Sequence, residues 1–185
     1  PAEYHPEGDV LRHTILCLNN MRQHPTRTLA TAVLLHDVGK PPTYAEKDRI
    51  RFNEHAPVGA DMASRICRRL RFSNDERKQI VGLIKDHTRF LDVQKMKRAK
   101  LRRFIGKEKF EEDLELHRVD CVSSHGTLDN YYFCLQTMKD LANEGQTAAP
   151  PPLVTGDDLI AMGIKPGPDF KIILQKAYDT QLEGK

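Results

Sequence analysis

Apolar residues recur along this chain at three- and four-residue intervals, broken by prolines, glycines and short polar stretches. Val10, Ile15, Leu16, Leu18 and Met21 mark a first helix, capped by Asp9 and running to about Gln23, where Pro25 breaks it. Thr26 starts a second helix. Its run of Leu29, Ala30, Ala32, Val33, Leu34 and Leu35 is nearly continuous, which predicts burial on all sides. It ends at Gly39-Lys40, and Pro41-Pro42 forbid continuation. A polar loop follows to about Phe52. A third helix begins at Asn53 or Glu54 and reaches about Leu70. Ser73 or Asn74 caps a fourth, which carries Ile80, Val81, Leu83 and Ile84. Further helices are predicted over 96–105, 107–123 and 129–143. Residues 145–152 are rich in Gly, Ala and Pro and read as a linker. Beyond it Thr155, with Asp158 three residues on, caps a helix to about Met162, and another follows Pro166-Gly167-Pro168. No alternating strand pattern and no internal repeat is present. The class is all-α, divided as a helical bundle over 1–144, a Pro-rich linker over 145–152 and a small helical appendage over 153–185.

At 185 residues the chain suits one domain, or one domain with an appendage. It has no apolar run of about 18 residues that would span a membrane, and no charged-then-apolar N-terminal stretch of the signal-peptide kind. Cys17, Cys67, Cys121 and Cys134 sit singly among apolar residues, without the close pairing of a zinc or redox motif. They read as reduced core thiols of a cytoplasmic protein. The net charge of +3 conceals an asymmetry. Residues 1–64 carry −1, residues 65–109 carry +11 and residues 110–185 carry −7. A basic belt of that strength raises the question of a polyanionic partner.

The histidines carry the chemistry. His36-Asp37 directly follows the most apolar run, so its neighbours draw the pair into the interior. An unpartnered buried carboxylate costs several kcal/mol, and a divalent ion beside an imidazole is a common remedy. A core His hydrogen-bonded to an Asp is the simpler reading for one isolated pair. Two further residues shift the balance: His13 lies on the inward side of the first helix, and Asp120 is embedded in the apolar face Leu116–Cys121. His13, His36, Asp37 and Asp120 then offer four N/O ligands from three helices. His55 and His87 add ligands for a second ion, with Asp37 as the bridge because a carboxylate has two oxygens. His117 and His125 lie near the same helix end as Asp120, whereas His5 and His24 flank prolines and read as exposed.

The order His13, His36-Asp37, Asp120, with the string His36-Asp37-Val38-Gly39-Lys40, resembles the HD-domain metal-dependent phosphohydrolases. His55 and His87 stand where two-metal members of that superfamily carry extra histidines. A narrower resemblance is to the HD and C-terminal regions of bacterial tRNA nucleotidyltransferase/poly(A) polymerase proteins. It rests on 53–60, on Leu70-Arg71-Phe72-Ser73-Asn74, on His117-Arg118-Val119-Asp120-Cys121, and on 153–168. Those polymerases carry a Gly-Ser loop and paired catalytic aspartates in an N-terminal head. No Gly-Ser dipeptide occurs in this sequence, so this chain alone is not expected to add nucleotides. Its start at Pro1, without Met, suggests the back part of a longer protein that also carries a nucleotidyltransferase domain.

The resemblance implies phosphoester hydrolysis with one or two divalent ions, Mn, Fe, Co, Ni or Mg. The substrate expected is a phosphomonoester or cyclic phosphodiester of a nucleotide or RNA end. Asp37 and Lys40 are the expected catalytic residues with Arg89, Lys40 and Arg89 contacting phosphoryl oxygens. Against this, Lys40 also suits a helix C-terminal charge, and Arg89 a surface position. The competing class is an RNA-binding module without catalysis, possible partner tRNA, in which Lys97, Arg98, Lys100, Arg102 and Arg103 follow a phosphate backbone. The bland alternative for that belt is a solvated helix face.

Overall fold

A computed structural model describes residues 9–46, 48 and 50–184. Among them the periodicity reappears as nine helices: α1 (Val10–Asn19), α2 (Arg27–Leu35), α3 (His55–Arg69), α4 (Asn74–Asp86), α5 (Arg98–Ile105), α6 (Phe110–Ser123), α7 (Asp129–Asn143), α8 (Gly156–Ala161) and α9 (Pro168–Glu183). The class is all-α. The predicted caps are in place. Asp9 accepts from Arg12 N, Thr26 from Leu29 N, and Ser73 and Thr155 form capping boxes with Glu76 and Asp158.

Three departures from the sequence pattern have local causes. α1 stops at Asn19, short of Gln23: Asn20 N–H still reaches the Leu16 carbonyl, but Met21 N–H bonds Leu18 three residues back at 3.4 Å, which ends the α-helical ladder. The polar loop holds an antiparallel hairpin, β1 (Ala45–Glu46) with β2 (Ile50–Arg51), whose two-residue strands are too short to show alternation. Residues His87–Lys95, left unassigned by periodicity, form a 3-10 helix. The expectation that α2 is buried all round is also corrected. Leu29, Ala32 and Val33 are buried, but Leu34 on the opposite face is exposed.

The chain divides into two compact units. One comprises residues up to Leu91 together with Glu111–Tyr132; the other comprises Asp92–Phe110 and the chain from Phe133 onward. The first is centred on Cys17 of α1, Leu29, Ala32 and Val33 of α2, Ile80, Leu83 and Ile84 of α4, and Leu116 and Val119 of α6. Each fully buried aliphatic side chain contributes roughly 1.5–3 kcal/mol. α3 joins this core through small residues one turn apart, Ala56, Gly59, Ala60, Ala63 and Cys67, all buried. That stripe lets α3 lie close to α4 and to the turn that follows α2.

In the second unit α5 packs on α9, and Phe104 meets Phe110 edge to face at 5.3 Å. The Pro-rich stretch lies along α9: Tyr178 OH donates to the Pro150 carbonyl, and Gln181 Nε2 to that of Pro151. No helix among the described residues is long and apolar enough to cross a membrane.

Candidate metal centre

Five helices of the first unit each deliver a polar side chain to one place. His13 comes from α1, His36 and Asp37 from the end of α2, and His55 from the first turn of α3. His87 comes from the end of α4, and Asp120 from α6. His13, His36, Asp37 and His87 are buried. His36 and His87 cap their helices with the same backbone, φ −58° and ψ −34°. In that conformation each ring folds back one turn, onto carbonyls that the helix end leaves free.

The consequence is a common orientation of the imidazoles. His36 Nδ1 donates to the Val33 carbonyl at 2.8 Å, His55 Nδ1 to Phe52 at 2.8 Å and His87 Nδ1 to Ile84 at 2.6 Å. A carbonyl only accepts, so the proton of each neutral ring is on Nδ1 and the Nε2 lone pair points the other way. This is the arrangement that holds metal-ligating histidines.

Those lone pairs converge. His55 Nε2 lies 3.1 Å from His87 Nε2, and His13 Nε2 lies 3.3 Å from His36 Nε2. His13 Nε2 is also 3.2 Å from Asp120 Oδ1, and His55 Nε2 is 3.7 Å from Asp37 Oδ1. Two lone pairs facing at such distances repel unless a proton or a cation lies between them. Ligand atoms of His13, Cys17, His36 and Asp120 lie within 4.8 Å of one another, as do those of Asp37, His55 and His87. The donor chemistry, imidazole nitrogen with carboxylate oxygen, fits a divalent metal ion.

Electrostatics agree with the geometry. Burial opposes ionisation of Asp37, but the neighbouring charges of His36 and Lys40 outweigh it and hold the carboxyl below the usual range. Burial likewise opposes ionisation of Asp120, and the hydrogen bond from His13 with the surrounding imidazoles drives its pKa down. Burial pushes His87 down to about 4, with the His36 charge adding to the effect. Burial lowers His13 too, but its bonds to Asp120 and Cys17 prevail and raise it to about 10. Asp37 Oδ2 is compensated by the ion pair with Lys40 Nζ at 2.6 Å and lies 3.4 Å from His36 Nε2.

The cluster opens into a cavity of about 460 Å³. Its rim includes Lys40, Arg51 and His125, and Ile50, Phe52 and Leu91 supply an apolar wall. His125 is the tautomeric opposite of the buried rings. Its Nδ1 accepts from Thr127 N at 3.0 Å, so its proton is carried on Nε2.

Other expected residues fall elsewhere. Arg89 is absent from the cavity lining; its guanidinium pairs with Asp86 at 3.3 Å, one turn earlier in the chain. His117 stacks flat on Phe90 with ring centroids 4.3 Å apart, beside Cys121, and burial lowers it to about 4. His24 is exposed, and His5 lies outside the described residues. In the second unit Lys97, Arg98 and Lys100 are exposed, and Arg103 pairs with Asp179 at 3.1 Å. Arg102 corrects the reading of the belt. It is 5% exposed, and its guanidinium donates to the carbonyls of Ala148, Thr147 and Leu182 and to Gln146 Oε1. With its donors spent inside the fold, it cannot follow a phosphate backbone.

The sequence reading missed two features of the centre. Cys17, read only as a core thiol, has its Sγ 3.4 Å from His13 Nε2. The signal was its place four residues after His13, on the same helical face. Arg51 and Phe52 in the cavity lining had no signal, since a polar loop does not reveal which of its side chains turn inward.

The chain is similar in sequence to known proteins. The chain is 31% identical over 191 residues to an A-adding tRNA nucleotidyltransferase of Deinococcus radiodurans, covering 96% of the chain and 43% of that protein. It is 30% identical over 160 residues to a CC-adding tRNA nucleotidyltransferase of Thermus thermophilus, covering 83% and 36%. A multifunctional CCA protein of Acinetobacter baumannii is 30% identical over 104 residues, 56% of the chain and 25% of that protein. The chain therefore spans less than half the length of these relatives. The HD domain family model matches residues 10–123, a stretch that opens three residues before His13 and closes three after Asp120. With most of its length inside that match, the chain belongs to the HD domain family.

Proposed function

We propose that this chain is the metal-dependent phosphohydrolase region of a tRNA nucleotidyltransferase-like protein, hydrolysing a phosphomonoester or cyclic phosphodiester of a nucleotide or RNA end. The observation that carries the reading is the convergence of the imidazoles of His13, His36, His55 and His87 and the carboxylates of Asp37 and Asp120, of which all but His36 line one cavity. His13, His36, Asp37 and Asp120 would hold one divalent ion, and Asp37, His55 and His87 a second. Bound there, such ions supply an acidified water and neutralise charge on phosphoryl oxygens.

The chain's own residues do the rest. Asp37, with one oxygen toward His55 and the other toward His36, is placed to serve both positions. Lys40 anchors Asp37 and leaves positive charge at the cavity for a phosphoryl oxygen. His125 offers its Nε2–H as a neutral donor from the rim. Ile50, Phe52 and Leu91 exclude water from one side and give a base or ribose a surface to lie on.

The test is metal content of the purified chain, followed by hydrolysis of cyclic nucleotide phosphates and phosphomonoesters with added Mn or Ni. Retained metal and an activity lost in Asp37→Ala support the reading. A chain that retains no metal and stays silent with every added ion overturns it.

A second reading has its own support. The relatives above are named for tRNA, and Lys97, Arg98 and Lys100 form an exposed cationic face on α5 and just before it. As a non-catalytic tRNA-binding module, the chain would bind tRNA with steep salt dependence and no turnover. In the intact protein a nucleotidyltransferase domain would precede it.

A further inference from the structure

We infer that Arg51 is a second recognition point for the substrate, taking a phosphate other than the one that is hydrolysed. The inference rests on the phosphoester reading above and narrows its substrate class. The substrate is a nucleoside with phosphates at two places. The second phosphate is either that of a free nucleotide or the internucleotide phosphate of an RNA end.

Arg51 lines the cavity but stands apart from the proposed ligands. Asp37 pairs with Lys40 at 2.6 Å and Asp120 with His13 at 3.2 Å, whereas the Arg51 guanidinium pairs with Asp48. Its charge is therefore not spent on the carboxylates that would hold an ion. Lys40 is already the cation beside the reacting position. A second cation in the same cavity, with its own partner, suits a second anion.

The hairpin that carries Arg51 is rooted in the centre at both ends. On the entry side Thr43 Oγ1 donates to the Gly39 carbonyl at 2.9 Å, in the turn that follows His36 and Asp37. On the exit side the Phe52 carbonyl accepts from the His55 amide at 3.1 Å and from His55 Nδ1 at 2.8 Å. The Phe52 ring lies 6.0 Å from that of Tyr44 and 5.8 Å from the Lys40 ammonium. Arg51, one residue before Phe52, is thus tied to the candidate ligands.

The guanidinium itself points to a ligand. Its Nε is shielded from solvent and has no hydrogen-bond partner among the described residues. A buried N–H without an acceptor costs free energy that a bound acceptor recovers. The bonds from Nη2 to Asp48, at 2.6 and 2.9 Å, do not meet that need. They are also weakly held, because the Asp48 side chain is 64% exposed and such surface pairs contribute little. A phosphate can take Nε and a terminal nitrogen together, in the fork that suits a guanidinium. Ile50 and Phe52, on either side of Arg51 in the chain, add apolar surface for the nucleoside that joins the two phosphates.

The experiment measures binding by isothermal titration of the full chain with Mn²⁺ present. The probes share a 3′-methylenephosphonate of adenosine, whose carbon–phosphorus bond does not hydrolyse. They differ at the 5′ position: a free hydroxyl, a phosphate, or a phosphodiester link to a second adenosine. One or both phosphate-bearing probes should bind roughly 10- to 100-fold more tightly than the hydroxyl probe. A preference for the dinucleotide alone assigns an RNA end, and one for the 5′-phosphate alone a free nucleotide. Arg51→Ala should remove the preference, and Arg51→Lys should keep only part of it. Asp48→Asn, which removes the competing carboxylate, should enlarge it. Lys78→Ala, which removes an exposed charge of α4 outside the cavity lining, should preserve it. A preference that is absent in the wild type, or that persists in Arg51→Ala, overturns the assignment even where the chain hydrolyses phosphoesters. A preference that depends on Arg51 in a chain without hydrolytic activity overturns the hydrolase reading and leaves the second phosphate site standing.

Discussion

The backbones of Gly39 and Gly59 touch. A β-carbon on Gly39 would sit 2.6 Å from Gly59 N and 2.1 Å from the His55 carbonyl oxygen, where nothing can yield but main chain. This contact seats the turn carrying His36 and Asp37 against the first turns of α3, which carry His55. It thereby fixes the separation of candidate ligands from two helices. Gly39→Ala must push α3 away, at a cost of about 1–3 kcal/mol, and should lower both thermal stability and metal retention. Gly59→Ala meets Gly39 N at 3.2 Å and should be milder. Gly82→Ala, with nothing within 4 Å, should leave stability unchanged or raised by roughly 0.5–1 kcal/mol, since Gly is disfavoured inside a helix. Thermal melts of the three variants beside their metal content check the order.

The tautomers of the centre make a prediction for the metal-free chain. His36 and His55 should carry their neutral-ring proton on Nδ1, because each donates from that atom to the carbonyl three residues earlier. His125 should carry it on Nε2, because its Nδ1 accepts from Thr127 N. Long-range nitrogen–proton correlation spectra, assigned by His→Gln substitution, distinguish the two forms. An Nε2-protonated neutral ring at His36 or His55 would remove the argument that the buried lone pairs face one another.

Much of this centre is legible in the sequence, for a reason visible at particular residues. His36-Asp37 follows Val33-Leu34-Leu35, and Asp120 lies between Val119 and Cys121, so polar groups are carried inward by apolar neighbours. Helix starts were equally legible wherever a side chain caps them, as at Asp9, Thr26, Ser73 and Thr155. What periodicity cannot supply is the identity of partners distant in the chain. Arg102 sits among five other basic residues of one segment, yet it alone turns inward, because acceptors 44 to 80 residues later are arranged to receive it.

Acid should weaken the contact between α2 and α4. Glu76 accepts from Arg27 and from both the backbone and hydroxyl of Ser73, and Arg27 also lies over the Phe72 ring at 4.7 Å. These bonds, the one from Arg27 foremost, depress the Glu76 pKa from 4.5 to about 2. A depressed carboxylate stabilises the fold above its unfolded-state pKa and loses that contribution as the pH falls through its folded value. The stabilisation should therefore be complete above pH 4.5 and vanish progressively toward pH 2. Glu76→Gln should melt below the wild type at pH 7, with the difference shrinking across that window. Melting temperatures of both proteins between pH 7 and pH 2 measure it, and a constant difference would show that the ion pair is not responsible.

The basic belt should separate into cations that hold the fold and cations that meet a partner. Arg102→Ala leaves four acceptors in the second unit without their donor and should cost about 3 kcal/mol or more in stability. Arg102→Lys should recover only part of this, because an ammonium cannot reproduce the forked geometry. Lys97, Arg98 and Lys100 are exposed, so replacing all three with Ala should leave the melting temperature within about 1 °C of the wild type, in keeping with small surface effects. The same triple variant should weaken tRNA binding and reduce the slope of log affinity against log salt by roughly two to three, one phosphate contact per cation. Filter binding across a salt series beside thermal melts reads both effects. If the triple variant binds tRNA with an unchanged salt slope, the exposed belt is a solvated helix face.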